Sequence, residues 1–246
     1  MGKWWGSKHT ARGVIGLSAL AACAFANACR QTQQDSSGRP SSAAVEDPSA
    51  TGRTIRASGS TELAPFAVGQ WVRYAVRYTD GHKSQLTYKV VGREQNALWL
   101  ELVAGTANAG TVLQLLIGAG SRTALDGSRI EAARISMPNG AVRELRGPML
   151  EPSRPGYLKA LSPLFSAPFA GVPQQSVATA TGRFEGCHRL ERELVFGELN
   201  GAFTVWMHAS VPLAGLVRAT AKSGEATIEI DGFGMQGART SMERRR

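Results

Sequence analysis

The sequence predicts a mainly β protein. Its expected form is a single antiparallel, strongly curved sheet of about ten strands, a half-barrel or a barrel, with one or two short helices. Three observations point there. Apolar and aromatic residues alternate with polar ones at period two between Gln70 and Val103, and strand patterns return in the last third of the chain. Short turn signals, Asp80-Gly81, Asn139-Gly140 and Ser223-Gly224, separate those runs. Six prolines between Pro148 and Pro173 exclude any long regular element in the one region that lacks alternation.

Taken in order, the chain opens on a basic stretch, Lys3, Lys8 and Arg12, followed by about ten small or apolar residues from Gly13 to Ala22. Such a run is too short for a permanent membrane span, which needs about 20 apolar residues, and has the layout of a secretory leader. Leu20-Ala21-Ala22-Cys23 resembles the lipobox of bacterial lipoprotein precursors. That resemblance implies acylation of the Cys23 thiol, cleavage just before it, and a mature protein held to membrane lipid. Ala24 after the cysteine, where enterobacterial proteins kept in the inner membrane tend to carry Asp, implies an outer-membrane location facing the periplasm. Ordinary cleavage after Ala26-Asn27-Ala28 and an uncleaved anchor are the alternatives.

Residues 23–64 form the next unit, a lipidated N-terminus and tether. From Arg30 to about Ala64 the chain is rich in Gln, Ser, Thr, Ala, Gly and Pro, with very few large aliphatics and no aromatic residue, and such a stretch buries too little surface to fold. About 35 residues of flexible coil span about 30–35 Å. The domain itself is expected over residues 65–240, with a basic tail at 241–246 ending Arg244-Arg245-Arg246.

Within the domain, Gln70 to Tyr78 places Val72, Tyr74, Val76 and Tyr78 on one face and Trp71, Arg73, Ala75 and Arg77 on the other. Ser84 to Val91 carries Leu86, Tyr88 and Val90 in phase, and Leu98 to Val103 carries Leu98, Leu100 and Leu102. Three strands with short turns make an antiparallel meander. Thr111 to Ile117 reads as one or two helical turns or as a buried strand. Arg129 to Met137 and Ala141 to Arg146 flank Pro138-Asn139-Gly140 as a hairpin. Tyr157 to Phe165 reads as a short helix broken by Pro163. Its apolar residues either cap the core or cover an apolar cavity. Five strand candidates follow: Ser176 to Thr181, Cys187 to Phe196, Phe203 to Ala209, Leu216 to Ala221 and Ala226 to Ile230.

The chain has 246 residues and a net charge of +9; the leader carries three of those charges, leaving about +6. The basic residues are scattered and suit a solvated surface or attraction to anionic headgroups. No stripe of arginines and aromatics marks a nucleic-acid path.

Catalytic motifs are missing: there is no G-x-S-x-G, H-E-x-x-H, P-loop or C-x-x-C. Neither a catalytic residue, a cofactor nor a metal site is expected, and the protein is read as no enzyme. Cys187 and His188 are neighbours in a strand and so point to opposite faces, which argues against a thiol–imidazole pair. Cys29 could pair with Cys187, though a buried inert thiol suits Cys187 better. His188 and His208 could meet across a sheet but lack a third ligand. Arg189, Glu191, Arg192 and Glu193 read as ion pairs on a wet face, and Glu185, Glu191 and Asp231 are carboxylates that nothing singles out. Trp71, Trp99 and Trp206 read as core anchors more than ligand platforms.

From Gly69-Gln70-Trp71 to Gly237 the order of elements resembles the LolA/LolB-like superfamily of periplasmic lipoprotein carriers and receptors. The local match is Val205-Trp206-Met207-His208-Ala209-Ser210-Val211-Pro212-Leu213-Ala214-Gly215-Leu216-Val217, followed by Gly224 to Gly234. The resemblance implies an incomplete antiparallel barrel wrapped over helices, with an apolar cavity for a lipid, acyl chain or lipoprotein. Here Val72, Tyr74, Val76, Leu86, Tyr88, Leu100 and Leu102 would line it. The other reading is a structural or protein-interaction lipoprotein of the envelope with a filled core. The ligand, the partner and the oligomeric state are left open.

Overall fold

Period-two alternation turns into strands wherever the sequence shows it. A computed structural model describes residues 53–242, apart from 57–59, 61, 106–110, 121–125, 137–140, 166–168, 170 and 197–198. Cys23, Cys29 and the stretch expected to be a leader lie outside the described residues. Twelve strands build one open sheet. They are β1 (Thr54–Arg56), β2 (Trp71–Tyr78), β3 (Lys83–Glu94), β4 (Ala97–Ala104), β5 (Thr111–Ile117), β6 (Ile130–Ser136), β7 (Val142–Arg146), β8 (Gln174–Thr179), β9 (Gly182–Phe196), β10 (Leu199–Met207), β11 (Leu216–Ala221) and β12 (Ala226–Gly234). The expected mainly β, strongly curved sheet is therefore found, in its open form. Thr111 to Ile117 resolves as a strand.

The spatial order is β1-β9-β10-β11-β12-β2-β3-β4-β5-β6-β7, with β8 paired to β9. Two meanders are thus joined by a long-range seam in which β12 pairs antiparallel with β2, Ile228 opposite Val76. The register slips at Ile230/Gly232 in β12, Val90/Gly92 in β3 and Trp206/Met207 in β10. An extra residue on one strand of a pair bends that strand and increases its twist, so these bulges help curve the sheet.

The segment after β7 lies on the concave face. Two 3₁₀ turns, Gly147–Met149 and Glu151–Ser153, lead into helix α1 (Arg154–Leu161), and a third, Ser162–Leu164, closes it. Prolines stand in the first turn of each of these four elements, where a missing N–H costs nothing. The expected short helix is present, shifted by three residues.

Two boundaries are corrected. The tether does not run free to residue 64: Thr54–Arg56 pairs with Arg183–Glu185, and does so in parallel, so the sheet is not purely antiparallel. Ile55 packs against the core, Arg56 pairs with Glu185 at 3.4 Å, and the edge of β9 offers unpaired backbone groups. Leu63 also packs on the core, at the spot where a side chain on Gly215 would stand. At the other end, residues 241–242 belong to the domain. Ser241 N donates to both oxygens of Glu101 at 3.0 Å, Thr240 Oγ1 donates to Glu101 Oε2 at 2.8 Å, and Ala238 N donates to Gly69 O at 2.8 Å. Compositional reading missed both because each is a short segment held by distant partners.

Candidate functional site

The concave face is the one place where the predicted site residues converge. Val72, Tyr74, Val76, Leu86, Tyr88, Leu100 and Leu102 all point inward, in one continuous core. They do not line an open cavity. Each is at most 6% exposed, because residues 147–165, together with Phe169, fill the concavity as a plug. Leu150, Leu161 and Leu164 of the plug are fully buried, and Phe169 nearly so. Tyr74, Tyr88 and Phe196 form a cluster of edge-on rings, with centroids 5.7–6.4 Å apart, a favourable arrangement of aromatic quadrupoles. Tyr88 Oη donates to Ala160 O at 3.3 Å, tying the floor to α1.

The fit of plug to sheet is apolar but incomplete in its polar groups. Ser162 Oγ on the plug is buried without a hydrogen bond, and Tyr74 Oη on the floor and Tyr157 Oη on the plug have only poorly aligned partners, the Leu216 backbone and Ser153. Burial raises the Tyr74 and Tyr157 hydroxyls above their ordinary range, against smaller opposing effects from the Leu216 backbone and Ser153 respectively. An unsatisfied buried hydroxyl costs about 1–3 kcal/mol, so the interface is weaker than its apolar burial suggests.

One residue on the inner wall breaks the apolar pattern. Leu190, Arg192, Leu194 and Phe196 alternate on β9, and Arg192 stands with them on the inward side, half-buried. With Pro163 of the plug and Leu194, Phe196, Val205 and Leu216 of the sheet it frames a slot holding a void of about 10 Å³, about the space of one water. Burial lowers the Arg192 guanidinium from its ordinary value. This corrects the expectation that residues 189–193 share a wet face: Glu191 does face out and pairs with Lys222 at 2.5 Å, whereas Arg192 turns in. The phase with Leu190, Leu194 and Phe196 was the available signal, and the charge of the residue concealed it.

Other candidates have structural work. Cys187 is buried, and burial pushes its thiol up to about 12. His188 rests on Phe169, rings 5.1 Å apart, with Nε2 3.3 Å from Gln174 Nε2 and Nδ1 3.3 Å from Val172 O. His208 accepts from Ser210 N at Nδ1 (3.2 Å), so Nε2 carries the proton and donates to Glu185 O at 3.0 Å. Burial lowers its pKa, which the Glu185 carbonyl partly offsets. Glu185 and Asp231 sit in ion pairs with Arg56 and Arg73. Trp99 lies on the outer face, covered by the Arg134 guanidinium at 4.0 Å from the ring centroid. No cluster of three metal-ligating side chains occurs among the described residues, and no described helix is long and apolar enough to cross a membrane.

The architecture is compatible with the incomplete barrel that the LolA/LolB-like resemblance implies. No protein-family profile matches the chain, and no curated protein matches it. Among solved structures, a DUF1329 family protein from Desulfovibrio piger is similar at 11% identity and a TM-score of 0.26, over 67% of this chain and 83% of that one.

Proposed function

We propose that the chain is a non-enzymatic lipoprotein of the bacterial cell envelope. Acylated Cys23 would anchor it, in the outer membrane facing the periplasm, and its half-barrel would hold an acyl chain of a lipid or lipoprotein between the plug and the wall of β9, β10 and β11. One observation carries this reading: Arg192, a cation turned inward, stands at the rim of a slot otherwise lined by apolar side chains. An amphiphile with an anionic head and an apolar tail complements that arrangement, with the head on the guanidinium and the tail along Leu194, Phe196 and Val205. Pro163 of the plug lines the slot, whose void is about 10 Å³, so uptake of an acyl chain requires the plug to move. The unsatisfied Ser162 hydroxyl and the poorly held hydroxyls of Tyr74 and Tyr157 favour that movement. A second reading, a structural or protein-interaction lipoprotein, is favoured by the filling of the concave face.

Native mass spectrometry of residues 24–246, purified without acylation and keeping β1, separates the two. A stoichiometric lipid or fatty acid, retained by the native chain and lost in Arg192→Leu, supports carriage. A clean apo mass with no uptake from added phospholipid or fatty acid sinks it and leaves the structural reading. The anchor is tested separately, by palmitate incorporation into the full chain and its loss in Cys23→Ser.

A further inference from the structure

A second concavity lies on the opposite, outer face and shares no residue with the slot. Trp71 and Arg73 of β2, Gln85, Thr87 and Lys89 of β3, and Ser241 border a groove of about 170 Å³. On the two strands Trp71 stands opposite Lys89, Arg73 opposite Thr87 and Ala75 opposite Gln85, so the outward side chains form one patch. The volume is close to the ~150 Å³ that accommodates a benzene ring; there is room for one six-membered ring.

The floor is aromatic and fixed. The Trp71 indole lies against the backbone of β12 at Gly232 and Gly234. A Cβ on Gly232 would stand 3.2 Å from Cη2 and Cζ3, and one on Gly234 would stand 2.5 Å from Nε1. Glycine at both positions therefore seats the indole directly on the neighbouring strand. The rim is polar but electrically balanced. Arg73 Nε donates to Asp231 Oδ2 at 2.6 Å, and Gln85 Nε2 reaches the same oxygen at 3.4 Å. The Lys89 ammonium makes three contacts, to Glu101 Oε1 (2.8 Å), Arg239 O (3.2 Å) and Ser241 Oγ (2.6 Å). Each cation thus has its carboxylate, and an incoming anion would have to displace one. Thr87 Oγ1, Gln85 Oε1 and Trp71 Nε1 have no hydrogen-bond partner among the described residues, and the Arg73 side chain is 41% exposed.

A fixed aromatic shelf, ringed by neutral donors and acceptors and by a planar Arg–Asp pair, fits a ligand with a flat apolar face and hydroxyls around its edge. We propose that this groove binds one pyranose ring of a neutral glycan, its C–H face on Trp71 and its hydroxyls on Arg73, Gln85 and Thr87. Few polar groups placed around an apolar surface are what orients a small ligand.

The test is an NMR titration of the ¹⁵N-labelled residues 24–246 with neutral trisaccharides built from glucose, galactose, mannose and N-acetylglucosamine, reading the indole N–H of Trp71, assigned by its loss in Trp71→Phe. The expected result is a saturable shift of that resonance with at least one sugar, weakened several-fold to about tenfold in Gln85→Ala and in Thr87→Ala, since each removes one hydrogen bond. Both variants change half-exposed outer side chains and leave the core intact, so a folding failure at Trp71 does not decide the matter. The proposal is overturned if no trisaccharide moves the resonance, if the shift survives in the Gln85→Ala/Thr87→Ala double variant, or if sodium phosphate alone reproduces it.

Discussion

Replacing Leu161 by alanine distinguishes a plug that opens from one that is locked into the fold. Leu161 closes α1, is fully buried, and packs in the same core as the floor residues Tyr74 and Tyr88. Removing a buried leucine side chain costs about 2–5 kcal/mol, the transfer loss plus the cavity left behind. A value near the middle, about 3 kcal/mol, is a factor of about a hundred or more in an equilibrium constant. Where that factor is felt depends on which equilibrium the plug belongs to. If the plug leaves the sheet as a unit, amide exchange in residues 154–164 speeds up about a hundredfold while exchange in β2, β3 and β4 stays as in the parent. If plug and sheet unfold together, the strand amides and the urea midpoint move with the helix. Hydrogen exchange read by mass spectrometry, beside urea unfolding followed by circular dichroism, gives both numbers on one sample. Equal acceleration of plug and strand amides would refute the movable plug and, with it, the route proposed for an acyl chain into the slot.

The remaining predictions concern the two ends of the domain and its thiol. Glu101 is buried, which by itself raises its pKa, but hydrogen bonds from Lys89, Gln114 and Ser241 and the Lys89 charge outweigh that and hold the carboxyl below the ordinary range. A depressed folded-state pKa stabilises above the unfolded value, and that stability is lost as pH falls through the folded one. Acidification below the usual carboxylate range is therefore expected to free residues 238–242, seen as faster exchange there. Glu101→Gln should cost about 3 kcal/mol at neutral pH, the scale for breaking a buried ion pair, read as a lower urea midpoint. Gly182 holds φ at +135°, and a Cβ there would stand 2.5 Å from Arg53 O; Gly182→Ala is expected to detach β1 at a cost of about 1–3 kcal/mol, and trypsin should then cut after Arg53 and Arg56 faster than in the parent. Cys187, its thiol pushed up to about 12, should resist a thiol reagent at neutral pH in the native protein and react once urea unfolds it.

Strands carried by local alternation were legible: Leu216–Ala221 has the bounds its pattern implied, and the inward faces of β2, β3 and β4 are the ones their phases indicate. Features made by distant partners were not. β1 is three residues long and exists because β9 has a free edge, which no window on residues 54–56 contains. The prolines between 148 and 173 excluded a long element but could not say that Leu150, Leu161 and Leu164 turn into the sheet, since that depends on its curvature. Arg192 was in phase with an inward-facing set, yet a charge in that position is costly and reads as outward. The outer groove draws on Trp71, Gly232, Gly234 and Ser241, brought together only when β12 meets β2.

That meeting also sets a clock. Trp71–Tyr78 is made well before its partner Ala226–Gly234, which lies about 150 residues further along the chain. Closing so long a loop adds only slowly to the entropic cost, yet such distant pairing makes for slow folding. Until the last strand arrives, β2 has one neighbour, β3, and the two meanders are separate half-sheets. The export proposed above would profit from this delay: a chain threaded unfolded through a translocation channel could not seal its sheet before Ala226–Gly234 had followed.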